Sequence, residues 1–428
     1  MKFEKKTLKD YLSESTTDLN EKANEFYQHR NYLFDNKHMH YKRIALNGSR
    51  PVREVYDMYT KQVRHMIYLA SNDYLNLATH PKVVEAGQKA LLKYGAGAGS
   101  VPLLGGSIDI HEKLEKRVAE FKGQEAAIIF TSGFGANNGV LSSLLGKNDL
   151  AILDMLAHAS IIDGCKGTNT KFFLHNDLDS LEKILKTTQG RYNNVLIAVD
   201  GVYSMDGDIA PLDKLHELAK RYKAYLYVDE AHASGVIGAN GRGTPEYFGL
   251  EGQIDFVAGT FSKALGGVGG FVATTKELAF MLNFFSRPYM FSTGMTPQVA
   301  ASMIASIDVI EQEPERREKL WSNIHHFKKG LNSLGFTLEN CETAIFPLII
   351  GDDYKVKEAV RMLHEMDVYV NPVSYPAVSL KKSRIRMSLM SEHTHAHLDE
   401  VLNKLEYVSD KLKINRNESE TVAREKCL

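Results

Sequence analysis

The chain has 428 residues, 43% apolar and 25% charged, with 52 Lys plus Arg against 53 Asp plus Glu and a formal net charge of -1. That length is enough for a large core in more than one domain, and the balanced charge gives no electrostatic footprint for nucleic acid. Cys165, Cys341 and Cys427 lie too far apart for a disulfide framework or a zinc site, so a soluble protein of the reducing cytoplasm is expected.

The N-terminal stretch "MKFEKKTLKDYLSESTTDLNEKANEF" is charged throughout and lacks the apolar core of a signal peptide, and no later apolar run reaches membrane-spanning length. Peripheral membrane contact stays open. The terminal "EKCL" puts its cysteine in the wrong position for prenylation. Residues 1–65 read as an N-terminal arm, with helical spacing in "LNEKANEFYQHRNYLF" and a turn at "NGSRP". Residues 66–300 read as a large domain, in which "AAIIF", "LAILDML", "KFFLH", "NVLIAVDG", "YLYVDEAH", "FVAGTF" and "GFVAT" alternate with helical patterns. That rhythm predicts an α/β fold, its largely parallel sheet covered by helices on both faces. One long helical stretch from "TPQVAASM" to "GLNSLG" leads out of it to a glycine cap. Residues 301–428 read as a smaller C-terminal α/β domain, containing "AIFPLIIG", "YKVKEAVRMLHEM", "VYVNPVSYP", "SRIRMSLM" and "HTHAHLDEVLNKLEYVSDKL", with a frayed polar tail after Lys413.

In doubly wound folds ligands sit at the carboxyl ends of the strands, so the residues that follow each apolar run carry the chemistry. After "AAIIF" comes "TSGFGANNG", a glycine-rich turn opening a helix, where backbone N–H groups could hold a phosphate; a tight turn chosen for steric reasons is the plainer alternative. The spacing is not GxGxxG, and no GxxxxGK[ST] occurs, which argues against dinucleotides and nucleoside triphosphates. His158 follows "LAILDML", where a lone histidine is more often structural than catalytic. Ser204, Asp206 and Asp208 follow "NVLIAVDG", and alone would pass as a polar loop or a weak metal site. Asp229, Glu230 and His232 follow "YLYV", and could be a helix cap and surface charge. Lys263 in "AGTFSKALGGVGG" is the residue least well explained by structure alone, since a solvated lysine needs neither a preceding buried strand nor glycine clearance. A phosphate cradle, a carboxylate, two histidines and this lysine on successive strands form the inventory of a pyridoxal phosphate site, in which the lysine bonds the cofactor and Asp229 keeps the ring nitrogen protonated.

"VDEAHASGVIGANGRG", "GTFSKALGGVGGFVA", "GVYSMDGDIAPL", "FTSGFGANNGVL" and "HASIIDG" together resemble the α-oxoamine synthases, pyridoxal phosphate enzymes that condense an amino acid with an acyl thioester. The resemblance runs from "LASNDYLNLATHP" to "SRIRMSLMSEHTHAHLDEV". It implies a fold-type I, aminotransferase-like subunit with a mainly parallel seven-stranded sheet, working as a homodimer whose active site lies at the subunit interface. By this resemblance Lys263 holds the cofactor and then moves the Cα proton, His158 stacks on the ring, and Asp229 pairs with its nitrogen. His232 and Ser204 would lie near the phenolic oxygen; Ser132, Gly133, Phe134 and Thr260 near the phosphate. Ser292 and Thr293 in "FSTGMTP" would reach the partner subunit's phosphate. Asn72 and Arg386 match contacts to the amino-acid carboxylate, which a guanidinium fork suits, with Arg384 the alternative to Arg386.

Three departures stand out. Asn76 replaces a usual glycine, Val101 and Pro102 stand where an arginine commonly follows the serine, and the N-terminal arm is long. His393, His395 and His397 alternate, which throws them to different faces of a helix, so no metal is assigned. "VYVNPVSYPAV" and "RPYMFSTGMTP" look most like the serine palmitoyltransferase branch, which implies serine or a serine-like amino acid, a long-chain acyl-CoA or acyl-carrier-protein thioester, and a sphingoid-type base for sphingolipid biosynthesis. Cysteate acyltransferase, glycine C-acetyltransferase and 8-amino-7-oxononanoate synthase are the alternatives within the family. A catalytically silent partner subunit is the alternative outside catalysis, and the presence of Lys263 argues against it.

Overall fold

Seven segments, six of them mainly apolar, build the central sheet: β1 (Ala126–Phe130), β2 (Leu150–Asp154), β3 (Asn169–Phe173), β4 (Val195–Asp200), β5 (Tyr225–Asp229), β6 (Phe256–Thr260) and β7 (Gly270–Thr274). Their order is β1-β7-β6-β5-β4-β2-β3, with β7 antiparallel to both neighbours and the other six parallel. The mainly parallel sheet expected from the sequence is therefore present. β2 and β6 are buried along their whole length, which is why they read as continuous apolar runs and not as alternating ones. Ile128, Leu153, Ala198, Tyr227 and Val272 pack in one core cluster with Val140 and Ile161 of the covering helices.

The computed structural model describes residues 3, 6–12, 18–336, 338 and 341–414; the tail beyond Ile414, including Cys427, and part of the charged N-terminus lie outside them. These residues divide into two units, and the sheet belongs to the one formed by Asn72–Ser204 and Asp208–Leu320. In this unit the parallel strands end together at Phe130, Asp154, Asp200, Asp229 and Thr260. Helix α1 (Gly133–Leu144) starts directly after β1, and the Ser132 hydroxyl caps it by accepting from Gly135 N at 2.9 Å. The short α2 (Ala159–Gly164) starts after β2 with the His158 side chain as its cap.

The other unit takes in the described residues of Met1–Ser71, Met205–Gly207 and Trp321–Leu428. The expected helix appears as Leu19–Asp35, capped by Asp18. The rest of the arm differs from expectation: Ile44–Ala45, Val52–Asp57 and Gln62–Tyr68 form strands of a four-stranded sheet completed by Val368–Tyr369. A second, antiparallel sheet orders Ile345–Ile349, Arg384–Ser388 and Asn371–Val373, accompanied by helices Asp353–Glu365 and His395–Leu412.

The long exit helix is also not continuous, since Pro297–Gln312 and Glu315–Ser333 are separate helices. Pro314 lacks an N–H and drives Glu313 out of the helical region, to φ -122° and ψ 62°. No described helix is long and apolar enough to cross a membrane.

Candidate active site

At the carboxyl edge of the sheet lies a cavity of about 260 Å³, lined among others by Ser132, Gly133, Phe134, His158, Asp229, His232, Thr260 and Lys263. Eight residues singled out in the sequence are thus brought together. Each stands at a strand end or in the turn after it, because a parallel sheet delivers all those turns to one edge. The two glycine runs matter to the backbone. A Cβ on Gly133 would sit 2.9 Å from Thr260 Cβ, and one on Gly270 would sit 2.6 Å from Gly133 Cα, so β7 can pass close beside the start of α1 only without side chains. Gly266, at φ +72°, would place a Cβ 2.3 Å from Ala78 N. The glycines after Lys263, expected to leave room for a ring and substrate, therefore serve close backbone packing.

Lys263 is half-buried at the cavity wall. Both oxygens of buried Asp229 are held: Oδ1 accepts from Ala231 N at 2.9 Å and Oδ2 from Asn137 Nδ2 at 2.6 Å. The Asn137 amide also donates to Ser160 Oγ at 2.8 Å and accepts from Tyr227 OH at 2.8 Å. Ser160 Oγ lies 2.7 Å from His158 Nδ1. Burial lowers the His158 pKa below the usual imidazole value; Asp229 opposes this and Lys263 adds to it. His232 Nδ1 bonds Tyr74 OH at 2.7 Å.

Asp200 also lines the cavity, directly across from Asp229 in the β4–β5 register, and accepts from His158 N at 3.1 Å. Burial first, and the Asp229 charge second, push its pKa well above the carboxylate range. Behind Asp229, fully buried Glu230 accepts from Thr244 N at 2.8 Å and faces buried Lys122 at 3.8 Å. Asn137, Ser160, Asp200 and Tyr74 were passed over in the sequence. All four lie inside the strings quoted above, and for Asp200 a polar residue closing an apolar run was the available signal.

Not all expected residues line this cavity. Ser204 is half-buried outside its lining. Ser292 and Thr293 line a second cavity of about 350 Å³ with His111, Glu115 and Tyr289; Pro102, in the turn Pro102–Gly106, borders it too. Asn72 accepts from Tyr74 OH at 3.4 Å, within the same unit as the first cavity. Arg384 and Arg386 lie in the other unit. Arg384 is spent on structure, donating to Lys382 O at 3.0 Å, Met205 O at 2.7 Å and Asp206 Oδ1 at 2.8 Å. Arg386 is buried and donates to Ser388 Oγ at 2.9 Å.

Asn76 keeps the turn that a glycine would make, with φ +59°, a conformation asparagine tolerates. The three alternating histidines have separate tasks: His393 Nδ1 accepts from Met390 N, His395 stacks on His326 at 4.0 Å, and His397 closes the capping box with Thr394.

The sequence model for aminotransferase class I and II matches residues 64–405. The chain belongs to that family. It is 45% identical over 352 residues to an 8-amino-7-oxononanoate synthase of Bacillus velezensis, covering 82% of this chain and 90% of that one. Among solved structures it is similar to a serine palmitoyltransferase of S. paucimobilis with a bound PLP–myriocin aldimine, at TM-score 0.87 and 34% identity, covering 93% of this chain and all of the other. It is also similar to an 8-amino-7-oxononanoate synthase of Francisella tularensis, at TM-score 0.71 and 28% identity, covering 82% of this chain and 99% of that one. Within the family the chain is an α-oxoamine synthase, a fold-type I acyltransferase dependent on pyridoxal phosphate. The cavity of this α-oxoamine synthase fits the cofactor's chemistry, with hydroxyls and a helix N-terminus for a phosphate, a hydrogen-bonded carboxylate for a pyridine nitrogen, an imidazole, and a lysine for the aldehyde carbon.

Proposed function

We propose that the protein joins a small α-amino acid to an acyl thioester with loss of CO₂, pairing alanine with a pimeloyl thioester as in the 8-amino-7-oxononanoate synthase branch. The observation that carries this reading is 45% identity over 82% of the chain to a protein of that name. The expected serine palmitoyltransferase pairing, and with it sphingolipid biosynthesis, has weaker support in sequence. It stays as a second reading because the serine palmitoyltransferase structure covers 93% of the chain at TM-score 0.87, against 82% at 0.71 for the synthase structure.

Pyridoxal phosphate bound at Lys263 supplies an electron-withdrawing ring that stabilises negative charge at the amino acid's Cα. The chain's own residues do the rest. The Lys263 amine takes the Cα proton and returns a proton at the end of the turnover. Asp229, fixed by Ala231 N and Asn137, would accept from the ring nitrogen's N–H and so keep it protonated. His158, whose burial lowers its pKa and favours the neutral imidazole, would cover the ring. Ser132, Gly133 and Thr260 anchor the phosphate, with Ser292 and Thr293 of the same chain serving the partner's site in a homodimer. His232 and Ser204 attend the phenolic oxygen, and Asn72 and Arg386 orient the carboxylate that leaves as CO₂. The new C–C bond forms as the C–S bond breaks and the free thiol departs.

Thiol release measured with alanine, glycine, serine and cysteate, each against pimeloyl-CoA and palmitoyl-CoA, tests the assignment. Turnover confined to alanine with the pimeloyl donor is the expected result. Turnover confined to serine or cysteate with the palmitoyl donor would replace it with the second reading.

A further inference from the structure

The residues assigned to the two aspects of the cofactor ring, Asp229 at its nitrogen and His158 on its face, meet at one side chain that neither the motifs nor the family assignment names. Asn137 projects from α1 among buried neighbours, 92 residues from Asp229 and 23 from Ser160, and its amide is bonded on every side. The directions of these bonds follow from elementary donor counting. A carboxylate can only accept, so the Asn137 NH₂ must face Asp229. Its carbonyl oxygen then faces Tyr227 OH, which must donate to it. The second amide hydrogen goes to Ser160 Oγ, whose own hydrogen is thereby left for His158 Nδ1. Ser160 N also points at that nitrogen, at 3.3 Å, as a second donor. With two donors aimed at it, Nδ1 carries no proton, and the proton of the neutral ring sits on Nε2.

The geometry points to Asn137 as a positioning residue that locks Asp229 as an acceptor and, through Ser160, fixes His158 in its Nε2–H form, so that the two sides of the cofactor ring are set by one amide. The inference rests on the cofactor contacts proposed above for Asp229 and His158. It makes Asn137 and Ser160 part of one unit, whose members lose their effect together.

The experiment combines cofactor binding with a direct view of the ring. In the Asn137→Ala protein the dissociation constant for pyridoxal phosphate should rise at least about tenfold, and in Ser160→Ala about threefold; the double variant should be no weaker than Asn137→Ala alone. Effects that multiply in the double variant, or wild-type affinity in Asn137→Ala, would overturn the coupling. Circular dichroism of the apo-proteins checks the fold, and Tyr227→Phe, which removes only the donor to the amide oxygen, serves if Asn137→Ala does not fold, with an expected rise of two- to fivefold; wild-type affinity there counts against the proposal. In wild-type protein labelled with ¹⁵N-histidine, the His158 signal, assigned by its loss in His158→Gln, should show protonated Nε2 and bare Nδ1, and a protonated Nδ1 would refute the donor chain. Asp229→Ala separates the two levels of failure. If it loses the cofactor while the Asn137 variants do not, only the coupling is wrong; if it too binds like wild type, the cofactor assignment fails and the coupling with it.

Discussion

Replacing His175 by Gln tests how much stability one doubly paired imidazolium holds at the sheet edge. Nδ1 meets Asp154 at 3.0 Å and Nε2 meets Asp208 at 2.7 Å, so both nitrogens must carry protons to satisfy two carboxylates. Asp154 closes β2 with no exposed surface, and Asp208 follows Ser204 in the next strand's loop. Burial opposes the charge, yet the bonds to Asp154 and Asp208 outweigh it and carry the pKa from 6.5 up to about 10. A rise of roughly 3.5 units at ~1.36 kcal/mol each corresponds to at most ~5 kcal/mol. Because the folded pKa lies above the unfolded one, the contribution is complete below about pH 6.5 and is lost as pH rises through about 10. By the same linkage about 4 kcal/mol of it remains at pH 7 and roughly 1.5 kcal/mol at pH 9. Thermal unfolding of wild type and His175→Gln, followed by circular dichroism at pH 7, 8 and 9, reads this, since subtracting the two midpoints cancels the titrating groups that do not touch His175. The gap should shrink by more than half between pH 7 and pH 9. A gap that stays constant or widens would refute a charged His175.

Lys263→Ala should fold normally and hold pyridoxal phosphate without a covalent link to the chain, with activity falling by about 10²–10⁴-fold or more from lost proton transfer alone; cofactor that borohydride reduction still fixes to the variant's chain would remove Lys263 from the site. Arg384→Lys should lower the unfolding midpoint, by about 1–3 kcal/mol in stability, because a lysine cannot reproduce the bonds to Met205, Lys382 and Asp206. Arg386→Lys should raise KM for the amino acid about tenfold or more; a rise confined to Arg384→Lys would exchange the two assignments. Gly133→Ala, whose Cβ would lie 2.9 Å from Thr260 Cβ, should cost about 1–3 kcal/mol and weaken cofactor binding. Wild-type affinity in that variant would show that the turn has slack the geometry does not reveal.

How far the sequence could be read depends on where each signal is stored. Every strand of the central sheet except β3 is a nearly unbroken apolar run, because a parallel sheet covered on both faces demands one, and Asp229 and Thr260 are legible because they close such runs. Pro314 shows a signal present but not used: a proline inside "EQEPERR" is enough to divide the helix. The hairpin of Val52–Asp57 and Gln62–Tyr68 was hidden differently, since only some of its positions are buried and its polar residues made it resemble an arm. Asn137, Ser160 and Tyr227 gain their meaning from partners in other elements, and no local pattern records that the start of α1 faces the end of β5. The substrate pair leaves the faintest trace of all. Carbanion chemistry needs a lysine, a carboxylate and a hydrogen-bonded imidazole, residue types that stand out at strand ends, whereas choosing one acyl chain or amino-acid side chain over another turns on pocket volumes worth only about 1–3 kcal/mol per methylene. Differences of that size are made by exchanging one apolar residue for another, which leaves charge, periodicity and motif unchanged, so the reaction can be read from this chain well before its substrates can.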